Sequence, residues 1–258
     1  MHRISVASDA PALVLATPGS CTGAGYGLAE HVAEQAAASC PGVEIRIGYL
    51  SGTADSLTSA LRSGTGNGTA PGTHAVVVPL LAGPHPVLDA TIDAAIRQAP
   101  VPVMLAAHLG PHPLLAGALH DRLSEVGLAR ASRARGLNIS AGANGVMVVA
   151  DRGPKAISDA GLTALLLAAR LAVPVLPASL GDSASIDAAL SRLREAGVSH
   201  LAIAPCVVGP ETEPAEFDRL SSMLGAPCAA PLGGHPAVAQ LVAIRYGEAL
   251  AKISVASH

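Results

Sequence analysis

Tryptophan is absent from these 258 residues, and the other aromatics are scarce: one phenylalanine, Phe217, and three tyrosines. Without aromatic platforms the chain has little on which nucleic-acid bases could stack. Lysine is nearly missing too, with only Lys155 and Lys252 present, and the net charge is −3. That balance excludes the basic patch that nucleic acid requires. The four cysteines, Cys21, Cys40, Cys206 and Cys228, show neither CxxC spacing nor a zinc-ligand pattern. Scattered among apolar neighbours, they read as reduced, buried thiols of a cytosolic protein. Long apolar runs are also lacking. The longest, from Leu162 to Leu180, is broken by Arg170, Pro174 and Pro177, so no membrane span is expected. The opening MHRISVASDAP has no apolar core of the signal-peptide kind and reads as a short disordered lead-in.

What is present is small and aliphatic. Half of the residues are apolar, mostly Ala, Val and Leu. A chain of this size buries roughly three quarters of the surface it exposes when unfolded. Such side chains suit parallel strands buried under Ala/Leu helices. Strand-like runs are expected at 12–17 (ALVLAT), 43–50 (VEIRIGYL), 74–79 (HAVVVP) and 101–106. Helical runs are expected at 25–39, 55–62, 86–98 and 112–126. The alternation predicts a parallel sheet flanked by helices. A polar, Gly/Ala-rich stretch, 127–144, follows as a linker. The pattern then restarts, with strands at 146–150, 173–178, 200–205 and a short one near Pro227, each followed by a helix.

The two halves match in detail. HAVVVPLLAGPH (74–85) parallels HLAIAPCVVGPE (200–211), LGPHPLL (109–115) parallels LGGHPAV (232–238), and LATPGS (15–20) parallels VADRGP (149–154). The chain is therefore expected to be two tandem α/β modules, 10–126 and 145–255. Each is expected to have a four-stranded parallel sheet, with a cleft between them.

In open parallel sheets, ligands collect at the carboxyl ends of the strands. Those ends deliver Thr17 to Ser20, Tyr49 to Ser51, Leu81 to Pro86 and His108 to Pro113 in the first half. In the second they deliver Asp151 to Lys155, Gly181-Asp182, Gly209 to Glu211 and Leu232 to Pro236. His85 stands out, since it follows a strand and a Gly-Pro turn, and imidazole ligates metals or accepts protons near neutral pH. Position alone fits a helix cap as well. His108, His112 and His235 sit at similar places, and capping the following helix is the expected role for them. Arg152 and Lys155 precede a helix and suit either carboxylate binding or a solvated turn. The acidic run Glu211, Glu213 and Glu216 suits a helix N-terminus without any further role. The glycines at 23, 25 and 27 invite a dinucleotide reading. However, Leu28 stands where the third glycine belongs and no acid closes the second strand.

Taken in order, LATPGS (15–20), PGVEIRIGYL (41–50), VVVPLLAGPH (76–85), LGPHPLLAGALHDRL (109–123), LREAGVSHLAIAP (193–205) and LGGHP (232–236) resemble the class II chelatases. This is the CbiX/SirB family, which inserts cobalt or ferrous iron into sirohydrochlorin, and its long form fuses two modules. The resemblance implies a histidine after the first strand and another after the third, with an acidic residue often closing the second. The second histidine is His85; the first position holds Pro18, and the acidic one falls near Ser51. In the second copy the histidine positions hold Arg152 and Glu211. The implied site has His85 as metal ligand and base and Glu211 as a ligand across the cleft. Ser20, Arg152 and Lys155 are implied to hold a carboxylated tetrapyrrole. The divalent metal, Co²⁺ or Fe²⁺, is then a substrate, no cofactor is permanently bound, and the protein is a cytoplasmic monomer or homodimer.

Overall fold

The computed structural model describes residues 10–22, 25–53, 55–62, 75–129 and 142–256. The lead-in through residue 9, most of the expected linker (130–141), His74 and Gly23-Ala24 lie outside the described residues.

Strand β1 (Ala12–Thr17) is buried at every position, as a central strand covered on both faces must be. It pairs in parallel with β2 (Ile45–Tyr49) and β3 (Ala75–Pro79), and β3 pairs with β4 (Val103–Leu105), giving the order β2-β1-β3-β4. The second sheet repeats this as β6-β5-β7, from β5 (Gly145–Ala150), β6 (Val175–Ser179) and β7 (Leu201–Pro205). Its expected fourth strand is reduced to a single bridge between Ile203 and Cys228. Pro227 and Pro231 bracket that segment and have no N–H to extend a ladder.

The helices are α1 (Gly25–Ser39), α2 (Leu57–Arg62), α3 (Pro86–Arg97) and α4 (Pro113–Glu125), then α5 (Pro154–Leu171), α6 (Ser183–Glu195), α7 (Pro214–Leu224) and α8 (Pro236–Ala256). Strand alternation sorts them into layers. Val14 and Ala16 of β1 pack under α2 and α3, and Met147 and Val149 of β5 pack under α6 and α7. The opposite faces, Leu13 and Leu15 of β1 with Val146 and Val148 of β5, meet a shared central layer of helices. No helix among the described residues is long and apolar enough to cross a membrane.

The central layer is exchanged between the modules. Helix α8 packs on α1, α4 and β3, whereas α4 packs on α5 and β7. Burying leucines such as Leu119 and Leu241 there contributes about 1.5–3 kcal/mol each. The repeat extends to single hydrogen bonds. Leu109 and Gly110 donate to Leu81 O and Ala82 O, both at 3.0 Å, while Leu232 and Gly233 donate to Val207 O and Val208 O at 2.9 and 2.7 Å. Arg122 of α4 donates to Leu232 O at 2.7 Å, and its counterpart Arg245 of α8 donates to Leu109 O at 2.9 Å.

Candidate active site

Where the carboxyl ends of β3, β5 and β7 converge, a small cleft enclosing about 20 Å³ opens to solvent between the modules. Its walls include Gly83 to His85 from the first module, and Asp151, Asp159, Thr163, Cys206 and Glu211 from the second.

His85 is the N-cap of α3. Its extended backbone and the following Pro86 start the helix, and its ring Nδ1 accepts the Leu88 N–H at 3.2 Å. That bond makes Nδ1 the unprotonated nitrogen and leaves Nε2 facing the cleft. The cap and the cleft are therefore roles for the two different nitrogens of one ring.

Across the module boundary, Nε2 lies 2.9 Å from Oδ2 of Asp151, and both side chains are largely buried, at 12 % and 7 % exposure. The contact is close enough for an ion pair but out of line for a hydrogen bond. Oδ2 is one of the few buried polar atoms among the described residues that lack a hydrogen-bonding partner. Burial pushes the Asp151 carboxyl up, against the downward pull of His85 and Arg152. The β5–α5 turn reaches this position because Gly153, at φ 111°, lets the backbone pass beside Pro86; an added Cβ would sit 3.3 Å from the proline ring.

Glu211 turns back onto its own loop and accepts the N–H groups of Val208 at 2.6 Å and Gly209 at 2.7 Å. Burial nevertheless pushes its carboxyl up to about 7, against its own N–H and those two amides, with the Asp151 charge adding to the rise. The neighbouring Cys206 thiol is pushed up to about 12 by burial and by Glu211.

The structure thus brings together His85 and Glu211, two of the nominated residues. Ser20, Arg152 and Lys155 do not line the cleft. Ser20 lies beside Gly52 at the ends of β1 and β2. Arg152, half exposed, turns to Glu216 with contacts of 2.9 and 2.7 Å, and Gly181 makes room for its stem. Lys155 is mostly in solvent, 3.3 Å from Asp159. Glu216 therefore serves an ion pair and not only a helix dipole. His112 and His235 cap α4 and α8 as expected, through Leu114 N–H and Ala237 N–H. His108 does not cap its helix but meets Asp89 at 2.8 Å. Among the described residues, no group of three or more His, Cys, Asp or Glu side chains is arranged to hold a metal ion.

Asp151 is the site residue that sequence reading does not nominate. A signal was available, because the repeat places Val149–Pro154 on Leu15–Ser20, which puts Asp151 one residue before the histidine position.

Residues 12–126 match the family model CbiX. That match covers the first module alone, and there the chain is similar to the CbiX family. This is the class II chelatase family whose motif series the sequence resembles. No curated protein matches the chain by sequence. Among solved structures, SirB from Bacillus subtilis with Fe3+ is similar at a TM-score of 0.68 and 20% identity, over 94% of this chain and 96% of that one. The sirohydrochlorin chelatase SirB from Bacillus subtilis subspecies spizizenii, in complex with cobalt, is similar at a TM-score of 0.61 and 16% identity, over 93% and 95%. At these identities the likeness is one of fold, and it runs through both halves of the chain.

Proposed function

We propose that this chain is a sirohydrochlorin-type chelatase that inserts a divalent metal, Co²⁺ or Fe²⁺, into a tetrapyrrole. The observation that carries the reading is the buried pair of His85 Nε2 and Asp151 Oδ2, facing one another from the two modules across the cleft. The CbiX match and the SirB-like fold support it.

Metal insertion needs a ligand that delivers the ion and bases that remove two pyrrole protons. Nε2 of His85 is the ligand. With Nδ1 accepting the Leu88 N–H, Nε2 carries the ring proton; ligation through Nε2 takes the other neutral tautomer, with the proton on Nδ1 and the Leu88 contact released. Asp151, with its unpartnered oxygen 2.9 Å from Nε2 and its carboxyl raised by burial, is the proposed acceptor for a pyrrole proton beside that ligand. Glu211, at about 7, is a second acceptor within the same cleft and the ligand proposed to share the ion. The cleft encloses only about 20 Å³, far too little for a macrocycle, so the macrocycle lies across its mouth. There Ser20, Arg152 and Lys155 are the groups proposed to meet its carboxylates. Modules 10–126 and 145–255, joined through 127–144, are the proposed units of this architecture.

A second reading has a specific observation behind it: Pro18 stands where the resemblance expects a histidine. In that reading the chain binds a tetrapyrrole or metal without insertion. An anaerobic absorbance assay of sirohydrochlorin with Co²⁺ or Fe²⁺ separates the two. Insertion well above the spontaneous rate, lost in His85→Ala, supports the chelatase. Macrocycle binding with no rate above background transfers the assignment to the second reading. A His85→Ala variant as fast as the wild type would remove His85 from the mechanism.

A further inference from the structure

The geometry points to Asp89 and His108 as positioning residues that hold the His85 ring in its working orientation; this rests on the proposed role of His85. Asp89 lies in the first turn of α3 and uses both of its oxygens. Oδ2 accepts the backbone N–H of His85 at 3.0 Å, and Oδ1 lies 2.8 Å from Nε2 of His108. The His85 ring bonds forward to Leu88 N–H while the Asp89 carboxylate bonds back to the His85 N–H. This reciprocal arrangement is like a capping box, with imidazole in place of hydroxyl and the acid one residue later. It fixes the backbone and the ring of His85 together, so Nε2 has one direction left, toward Asp151.

His108 is itself held. Its carbonyl accepts Nε of Arg245 at 2.7 Å, and the next carbonyl, Leu109 O, accepts Nη2 of the same guanidinium at 2.9 Å. The support of His85 therefore runs from α8 through the β4–α4 turn to the first turn of α3.

The molecule supplies its own controls. His112 and His235 also cap helices through Nδ1, but Ala116 and Ala239 stand four residues on, where Asp89 stands after His85. In the second module, the offsets that align the repeats put Ala215 at the Asp89 position and Pro231 at the His108 position, and Glu211 replaces His85. Cap alone therefore does not call for the pair. Asp89 and His108 occur together only beside the histidine that faces the cleft.

The test uses the full chain with His108→Ala, His108→Gln and Asp89→Ala. Gln keeps an N–H that reaches Asp89, and Ala does not. Partners that orient a metal-ligating histidine are typically worth roughly ten- to a hundredfold in affinity or activity. His108→Ala is expected to lower kcat for Co²⁺ insertion by roughly tenfold with KM unchanged, and His108→Gln to recover most of it. In parallel, nitrogen-15 NMR of the histidine rings is expected to show His85 protonated at Nε2 in the wild type and mixed between tautomers in Asp89→Ala. A His108→Ala variant with wild-type kcat, or a Gln variant no better than Ala, overturns the assignment. If the wild type does not exceed the spontaneous rate, the chelatase reading has failed, and the NMR arm alone decides. An unchanged His85 ring in folded Asp89→Ala then overturns the positioning role, and a mixed ring upholds it.

Discussion

Replacing Glu211 by Gln tests the electrostatics of the cleft through stability, without a substrate. Burial raises the Glu211 carboxyl from 4.5 to about 7. A carboxyl whose folded pKa stands above its unfolded value holds its proton more tightly in the native state. Its contribution to stability is therefore complete below pH 4.5 and is lost as the pH rises through about 7. At about 1.4 kcal/mol per pH unit, the loss comes to about 3 kcal/mol. Gln removes the titration. It also leaves one of the two amides, Val208 N–H or Gly209 N–H, facing an NH₂ group in place of an oxygen. That costs ~1–3 kcal/mol, but equally at every pH. Urea unfolding of both proteins at intervals from about pH 4.5 to about pH 8 should show the wild type more stable at the acid end. Its advantage should then shrink by about 3 kcal/mol toward the alkaline end. A difference that stays level would mean that the two amides keep Glu211 ionised throughout, and the argument from burial, together with its role as a neutral-pH proton acceptor, would be refuted.

Pro18→His restores a histidine at the position where the resemblance expects one, and it should raise the initial rate of the sirohydrochlorin absorbance change several-fold; an unchanged rate in a folded variant would mean that the buried β1 end no longer holds the family geometry. Leu241→Ala in α8 should cost roughly 2–5 kcal/mol. Because α8 packs on the first module's β3, both modules should melt together in one shifted calorimetric transition. Two separated transitions would contradict the exchanged packing.

Much of this fold is legible in local sequence. The run 12–17 forms a strand and 25–39 forms a helix at the expected bounds, because strand period, Ala-rich helices and Gly/Pro punctuation all agree there. Shortfalls fall at prolines. Pro102 and Pro174 trim the starts of β4 and β6, and Pro227 leaves one bridge where a strand is expected. In the site, His85 is visible because a Gly-Pro turn marks it, and the caps at His112 and His235 are local. The partners are not local. Asp151 is 66 positions from His85 and is buried only because two modules close on it. His108 finds Asp89 19 positions away across two turns, against the expectation of a cap. Arg152 looks free in sequence until Glu216 arrives from the tertiary fold.

The exchange of α4 and α8 carries a consequence for how such a site could arise. One module alone would show a bare sheet face where its partner's last helix belongs, so complete folding would require a second copy and would depend on concentration. Tethering replaces that encounter with an effective concentration of about millimolar order. A symmetric pair of identical chains is bound to carry every site residue twice. Fusion lifts that constraint: His85, Asp89 and His108 belong to one copy, Asp151 and Glu211 to the other, and the cleft needs no mirror of itself.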